Sequence, residues 1–200
     1  ALFTEPRIDL SLLGLRHYTG TLPVLFQIFD LLSYFEFYFV EFVRLGREMM
    51  AQPAGPDDAG YLAFVEPGNV VTRKTGFVDA QGRTGTGQPE GTPPPRLPQM
   101  PAYHLIRPGH SGITMVNIGV GPSNAKTISD HIAVLRPHAW IMGGHCAGLR
   151  GSQQLGDYVL AHGYVREDHV LDEELPLWVP VPALAEVQIA LQQAVADVTR

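Results

Sequence analysis

The stretch Gly112–Arg150, which reads GITMVNIGVGPSNAKTISDHIAVLRPHAWIMGGHCAGLR, decides the fold. A β-branched apolar run, Ile113–Ile118, stops at a glycine-rich turn, and an amphipathic segment then continues up to Pro137. A second apolar run, Ala139–Met142, stops at another glycine pair. This order of strand, turn, helix, strand and turn predicts a βαβ unit, whose crossover makes its two strands parallel and neighbouring.

The first glycine turn follows the carboxyl end of the first predicted strand, where ligands bind in sheets of this kind. Gly119 and Gly121 let the backbone approach a ligand closely, and Ser123 and Asn124 add polar side chains at the start of the helix. Free N–H groups at that position favour an anion or a sugar hydroxyl. An ordinary tight turn is the alternative interpretation, because a Gly-x-Gly pattern alone is a weak signal.

The second glycine turn contains His145, Cys146, Ala147 and Gly148, and its small side chains would let a flat ring lie against the backbone. His145 and Cys146 are adjacent and would point apart, so we expect no metal site. As a covalent nucleophile, Cys146 would need a nearby base and a lowered pKa, and a small packing residue is the first interpretation.

Composition excludes some classes of function. The formal net charge is −6 and Lys and Arg form no run, which argues against nucleic acid as a partner. The single cysteine fits a reducing compartment, and we expect a cytoplasmic protein. No signal peptide is expected, and the first residue, an alanine, leaves room for an upstream start.

The apolar segment Leu22–Arg47 is predicted to form one largely buried helix. A membrane span is the alternative, and Asp30, Glu36 and Glu41 count against it because each acid would be costly in a bilayer. Upstream, the helix that begins at Ile8 is expected to end near His17-Tyr-Thr-Gly-Thr21, where Gly20 is either a plain C-cap or part of an anion-binding nest.

The remaining segments are predicted from turn and strand patterns. Tyr61–Val65 is a short strand followed by a loop with Gly68 and Asn69, and 81–98 is a mobile insertion rich in glycine and proline. Met100–Arg107 and Gly112–Gly119 form a hairpin. We also expect a strand at Leu155–Tyr164, a solvated turn or helix face carrying Asp168, His169 and Asp172, and a long amphipathic helix that begins near Pro182.

Several motifs together resemble the AMP nucleosidase family of the nucleoside phosphorylase and nucleosidase superfamily. They cover most of the chain, and they are His17–Thr21, Val116–Thr127, Val134–Pro137, Gly144–Arg150, Gly156–His162, Arg166–Asp172 and Val181–Gln188. The resemblance implies an α/β fold with three layers, a nucleoside-phosphorylase-like mixed sheet flanked by helices. It further implies that the sheet is incomplete at the C-terminus and that a helical remnant of an N-terminal domain precedes it.

By this resemblance, residues 1–55 are the end of a regulatory domain, and residues 56–200 are the first half of a catalytic domain. The implied reaction is hydrolysis of the N-glycosidic bond of AMP to adenine and ribose 5-phosphate, with no cofactor. Gly68, Asn69 and the first glycine turn would hold the sugar or phosphate, and the second glycine turn would line the base pocket. The expected catalytic carboxylate lies beyond Arg200, so the chain would be an internal piece, inactive by itself.

The resemblance also implies a homo-oligomer, with ATP and phosphate as allosteric ligands of the full-length protein and no membrane partner. Ala147 stands where the family usually has glycine. Met142 and His145 stand where related phosphorylases carry Arg and Ser, which favours water over phosphate as the nucleophile. Two alternatives remain open: a nucleotide-binding or interaction module without catalysis, and a purine nucleoside phosphorylase.

Overall fold

The structure is a computed structural model that describes residues 7–55, 60–165 and 176–199. Asp168, His169 and Asp172 therefore lie outside the described residues. The chain divides into two compact units, Ala1–Gly144 and His145–Arg200. The helices are α1 (Ile8–Thr19), α2 (Glu36–Ala51), α3 (Pro122–Ala133) and α4 (Ala185–Val198). The strands are β1 (Phe29–Ser33), β2 (Ala63–Glu66), β3 (Val70–Arg73), β4 (Pro89–Glu90), β5 (Ala102–Ile106), β6 (Ile113–Asn117), β7 (Ala139–Met142), β8 (Gly163–Tyr164) and β9 (Val181–Pro182).

The first unit is built on a mixed sheet with the strand order β4-β3-β2-β5-β6-β1-β7. The predicted hairpin is confirmed, because β5 pairs antiparallel with β6. The predicted βαβ unit is also present, and α3 begins at Pro122 as its first residue. The expectation that its two strands are neighbours was wrong: β1 lies between β6 and β7 and pairs in parallel with both.

The single helix predicted for Leu22–Arg47 was wrong. This segment contains a short 3-10 turn, the strand β1 and then α2. Parallel strands buried on both faces read as continuous apolar runs, so a buried strand and a buried helix cannot be distinguished by apolar content alone. None of the helices in the described part of the chain combines the length and the hydropathy that a membrane span requires.

Helices cover both faces of the sheet, which gives the three layers that the resemblance implied. On one face, α1 and α3 bury Leu15, Ile128 and Ile132 against Leu32 and Val116. On the other face, α2 buries Phe39 and Met50 against residues of β2, β5 and β6.

The predicted boundary at residue 55 stays a prediction, and β1 shows that residues on both sides of it share one sheet. The stretch 81–98, predicted to be mobile, contributes β4 to the sheet edge. There the Arg73 guanidinium holds Glu90 at 2.6 Å.

In the second unit, α4 confirms the predicted C-terminal helix. The strand expected at Leu155–Tyr164 is formed only by its last two residues, β8, which pair with β9. The residues before β8 include an exposed Gly-Asp turn, and they pair with no strand of the described ranges that could hold them extended.

Candidate functional site

The parallel strands β6, β1 and β7 end at the same edge of the sheet. The Ile118 N–H donates to the Ser33 carbonyl at 2.9 Å, and the Gly143 N–H donates to the Leu32 carbonyl at 2.9 Å. The two glycine turns therefore begin on either side of the end of β1. Because strands lie roughly 4.8 Å apart, the two turns start about 10 Å from each other.

The first glycine turn is fixed by its own side chains. The Asn117 Oδ1 accepts the Gly119 N–H at 2.9 Å, and the Asn124 Nδ2 donates to the Val120 carbonyl at 3.2 Å. Gly119 and Gly121 have φ values of 65° and 102°, which side-chain-bearing residues rarely adopt. Ser123 is exposed at the start of α3. The turn therefore presents backbone and small polar groups to solvent in a fixed shape.

Tyr34 follows β1 and lies between the two turns. Its ring is tilted against that of Phe35, with 4.3 Å between the ring centroids. A Cβ added to Gly144 would come within 3.3 Å of the Tyr34 Cε1, so the glycine lets the backbone of the second turn lie against this ring. Tyr34 was not predicted as a site residue, because the sequence interpretation placed it inside a helix.

A hollow of about 920 Å³ opens beside these groups, and we call it the carboxyl-edge hollow. Asn117 and Gly119 of the first turn reach it, as does Tyr34. One side is formed by α2 and another by residues of the segment 97–103. Its size lies within the roughly 300 to 1,000 Å³ of ligand pockets.

Two arginines of α2 form ion pairs around this hollow. Arg47 holds Glu66 through two bonds, Nε to Oε2 at 3.0 Å and Nη2 to Oε1 at 2.7 Å. The hydrogen bonds that Arg47 donates to Glu66 raise the pKa of Arg47, and burial raises the pKa of the Tyr103 hydroxyl beside them. Arg44 holds Glu41 and Glu48 on the exposed side of α2. The lining of the hollow includes three glutamates, Glu36, Glu48 and Glu66, and two arginines, Arg44 and Arg47, so its formal charge is −1.

Gly68 and Asn69 join the β2–β3 turn to the end of α1. The Gly68 N–H donates to the Gly20 carbonyl at 2.8 Å, and the Asn69 Oδ1 accepts the Leu22 N–H at 2.9 Å. A Cβ on Gly68 would meet Pro94 and the Thr92 carbonyl, each at 2.9 Å. These bonds hold three chain segments together, and a ligand contact at this turn stays a prediction.

The residues His145, Cys146, Ala147 and Gly148 begin the second unit, and all four are exposed. Cys146 is a free thiol. Within residues 7–55, 60–165 and 176–199, no group of three His, Cys, Asp or Glu side chains could hold a metal ion. The contact of His145, Cys146, Ala147 and Gly148 with a base ring stays a prediction.

The Thr-Gly-Thr motif at residues 19–21 faces the interior. Gly20 is the left-handed C-cap of α1, with φ 70°. The Thr19 hydroxyl donates to the Leu15 carbonyl at 2.6 Å and lies 3.0 Å from the Thr21 hydroxyl, and both threonines are fully buried. The structure supports the plain C-cap, because the Gly20 N–H donates to the Arg16 carbonyl and the Thr21 N–H donates to the Thr19 Oγ1, which leaves neither for an anion.

His104 connects this motif to the sheet. Its Nε2 lies 2.9 Å from the Thr21 hydroxyl, and its Nδ1 lies 3.0 Å from the Thr114 hydroxyl. Complete burial lowers the pKa of His104 to about 3. The Thr19 hydroxyl donates its proton to the Leu15 carbonyl, so it accepts the proton of the Thr21 hydroxyl. The Thr21 oxygen in turn accepts the N–H at the Nε2 of His104. His104 is therefore neutral, with its proton on Nε2.

Comparisons with known proteins agree with the motifs. The chain is 50% identical over 193 residues to the AMP nucleosidase of Escherichia coli strain K12, a match that covers 96% of this chain and 37% of that relative. The AMP nucleosidase of Escherichia coli O157:H7 matches to the same extent. No family model matches the chain.

Two solved structures share the fold. The AMP nucleosidase of Bacteroides thetaiotaomicron VPI-5482 superposes with a TM-score of 0.64 at 22% identity, covering 96% of this chain and 64% of that one. The purine nucleoside phosphorylase of Toxoplasma gondii, solved with immucillin-H, gives a TM-score of 0.56 at 13% identity, covering 92% and 57%. The chain thus has a nucleoside-phosphorylase-like α/β fold, and its resemblance to AMP nucleosidase is confirmed over nearly its whole length and over 37% of the length of the Escherichia coli relatives.

Proposed function

We propose that this chain supplies the nucleotide-binding part of an AMP nucleosidase, a protein that hydrolyses AMP to adenine and ribose 5-phosphate. The observation that carries the proposal is the carboxyl-edge hollow, which Asn117, Gly119 and Tyr34 line at the end of parallel strands. The identity of 50% to two AMP nucleosidases selects AMP among the ligands that such a hollow could accept. The chain spans about a third of those relatives, so the reaction is proposed for the whole protein.

In this proposal, Gly119, Gly121, Ser123 and Asn124 lie at the sugar or phosphate. Backbone N–H groups and small polar side chains can surround an anion or hydroxyl closely there, because Gly119 and Gly121 carry no side chain. Gly68 and Asn69 are weaker candidates for the same end of the ligand. His145, Cys146, Ala147 and Gly148 are proposed to line the base pocket.

Cleavage of the bond passes through a cationic sugar, and a proton donor must make the purine a better leaving group. The family resemblance puts the carboxylate that would donate this proton beyond Arg200, so this chain by itself should bind AMP without releasing adenine. A homo-oligomer, allosteric ATP and phosphate, and a cytoplasmic location are carried over as parts of the same proposal.

Binding and release separate this proposal from its alternatives. AMP binding to this chain is measured by titration calorimetry, and adenine release from the whole protein is measured by chromatography with and without inorganic phosphate. Release without phosphate supports a nucleosidase. Release only with phosphate supports a phosphorylase, and binding with no release from the whole protein supports an inactive module. Failure of this chain to bind AMP would contradict the proposed role of the hollow.

A matched pair of glycine substitutions tests the turn. Gly121→Val should weaken AMP binding by about tenfold or more, because the new side chain forces a change in backbone at φ 102°. Gly151→Val is the control, since Gly151 is also exposed with open space around its Cβ position and lies in a turn that the proposal does not use. Equal affinities for the two variants would argue against ligand contact at the first glycine turn.

A further inference from the structure

A second hollow lies at the opposite edge of the sheet. Its lining includes Phe29, Ile113 and Ala139, which are the first residues of β1, β6 and β7. The parallel strands therefore point away from it and toward the carboxyl-edge hollow. Its volume is about 350 Å³, near the lower end of the range for ligand pockets. We call it the amino-edge hollow.

Arg107 supplies the positive charge of this hollow. Its backbone N–H is held by the Gln27 Oε1 at 3.2 Å, and its guanidinium carbon lies 5.5 Å from the centroid of the Tyr61 ring. The guanidinium has no acidic partner within ion-pair distance among the residues that the structure describes. Its Nε is buried and has no hydrogen-bond partner there. A buried N–H of a cation without an acceptor is costly, so this group favours an anion.

The other walls are apolar. Phe29, Leu31, Ile113, Ala139 and Ile141 line the hollow. The Ser111 hydroxyl also lines it, and its proton goes to the Pro108 carbonyl at 2.9 Å, so Ser111 does not donate to a ligand. The bound molecule must therefore be apolar apart from the group that meets Arg107.

Asp30 borders the same hollow, and the register of the sheet turns its carboxyl away. It lies opposite Thr114, whose side chain bonds to His104 on the face that α1 and α3 cover. Side chains alternate along a strand, so Phe29 and Leu31 point to the other face and form the wall. The Asp30 carboxylate therefore does not compete with a bound anion for Arg107.

We propose that the amino-edge hollow is a second binding site, which takes a small aromatic carboxylate. The carboxylate would accept the Arg107 N–H groups, and the ring would pack against Tyr61 and the apolar residues of β1, β6 and β7. An aromatic ring suits this position because the hollow is lined by the Tyr61 ring, over which the guanidinium lies, and by apolar side chains of three strands. The site does not depend on the proposed nucleotide function, which uses the other edge.

The charge of the ligand is the first test, and it needs no variant. Benzoate, benzamide and benzylammonium share one ring and differ in charge. Benzoate binding to the protein, followed by NMR chemical shifts, should be about tenfold or more tighter than that of the neutral amide, and the cation should bind most weakly. Equal binding of the three compounds, or no benzoate binding, would overturn the proposal.

The second test removes the positive charge of Arg107. Arg107→Gln should weaken benzoate binding by about tenfold or more, and Arg96→Gln, an exposed arginine outside the hollow, should leave it unchanged. Circular dichroism on both variants establishes that they are folded, and Tyr61→Leu provides a second variant that should weaken benzoate binding without removing charge. AMP should not displace benzoate. Displacement by AMP, or retained affinity in Arg107→Gln, would contradict a separate site on Arg107.

Discussion

Two polar motifs of this chain, both part of the family resemblance, have opposite environments. The Thr-Gly-Thr motif at residues 19–21 is buried and bonds to His104, whereas the glycine turn at residues 119–121 is open to solvent and borders the carboxyl-edge hollow through Gly119. Both contain small residues and hydroxyl or amide groups, and both follow a regular element. The difference is that α1 is covered by its neighbours where it ends, whereas β6 ends at an open edge.

This comparison shows that a polar motif becomes a binding site only where the fold leaves it room. In the interior, every hydroxyl of the Thr19, Thr21 and Thr114 set has a protein partner. At the open turn, the Asn117 side chain accepts the Gly119 N–H, and the Asn124 side chain donates to the Val120 carbonyl. The exposed N–H groups at the start of α3 are left for a ligand. The same residue types therefore stabilise the fold in one place and are available for binding in the other.

The largest effect on the free energy of unfolding is expected at Asp30 in the interior. This residue is 3% exposed and has one carboxyl oxygen without a hydrogen-bond partner among the described residues. Burial raises its pKa from 3.8 to about 7. The folded state therefore binds its proton more tightly than the unfolded state does. This contribution to stability is fully present below pH 3.8 and is lost as the pH rises through about 7.

Asp30→Asn should remove that dependence. The free energy of unfolding of the variant minus that of the wild-type chain should increase between pH 4 and pH 8, by up to about 4 kcal/mol for a shift of about three units. Urea unfolding at a series of pH values measures it. Asp130→Asn, at an exposed position of α3 where the carboxylate pairs with Lys126, is the control, and its effect should be smaller because exposed ion pairs contribute little to stability. A flat difference for Asp30→Asn would show that this carboxyl is not desolvated.

The second test removes the centre of the buried polar set. His104→Leu leaves the hydroxyls of Thr21 and Thr114 without their partner, which should lower the free energy of unfolding by about 2 to 4 kcal/mol. His17→Leu is the control in the same motif, because His17 is exposed.

The pH dependence of His104→Leu has a defined sign. The folded-state pKa of His104 is about 3, below the ordinary 6.5, so its contribution to stability is present above pH 6.5 and is lost as the pH falls toward 3. The variant should therefore lose less stability than the wild-type chain between pH 6.5 and pH 4. An equal loss would mean that His104 is protonated in the folded protein.

Much of the fold was predictable because local patterns determine it. Pro122 at the start of α3, the strand Ala139–Met142 and the hairpin of β5 and β6 each follow from residue spacing or a turn dipeptide. The position of β1 was not predictable, because its pairing with β6 and β7 joins residues more than 80 positions apart along the chain. Tyr34 was missed for the same reason, since its place in the hollow follows from that pairing.

The glycine turn was predictable as a turn, and its polar contacts were not. Gly119 and Gly121 signal a tight bend at the level of sequence, but the bond from the Gly119 N–H to the Asn117 Oδ1 depends on the side-chain geometry of this one turn. Glu66 and Arg47 come together at the hollow only because α2 crosses the end of β2. Such pairs join elements distant in the sequence, and no local pattern indicates them.

The smallest effect on stability is expected at the open turn itself, and there binding and stability should separate. Gly119→Ala places a Cβ 3.1 Å from the Asn124 Nδ2 at φ 65°, which should cost about 1 kcal/mol. Gly119 also lines the hollow, so AMP affinity should fall further than stability does. Thr21→Val is the interior counterpart, and it should lower the free energy of unfolding while leaving AMP affinity unchanged. If Thr21→Val weakened AMP binding as much as Gly119→Ala, the buried motif would affect the ligand, and the contrast between the two motifs would be lost.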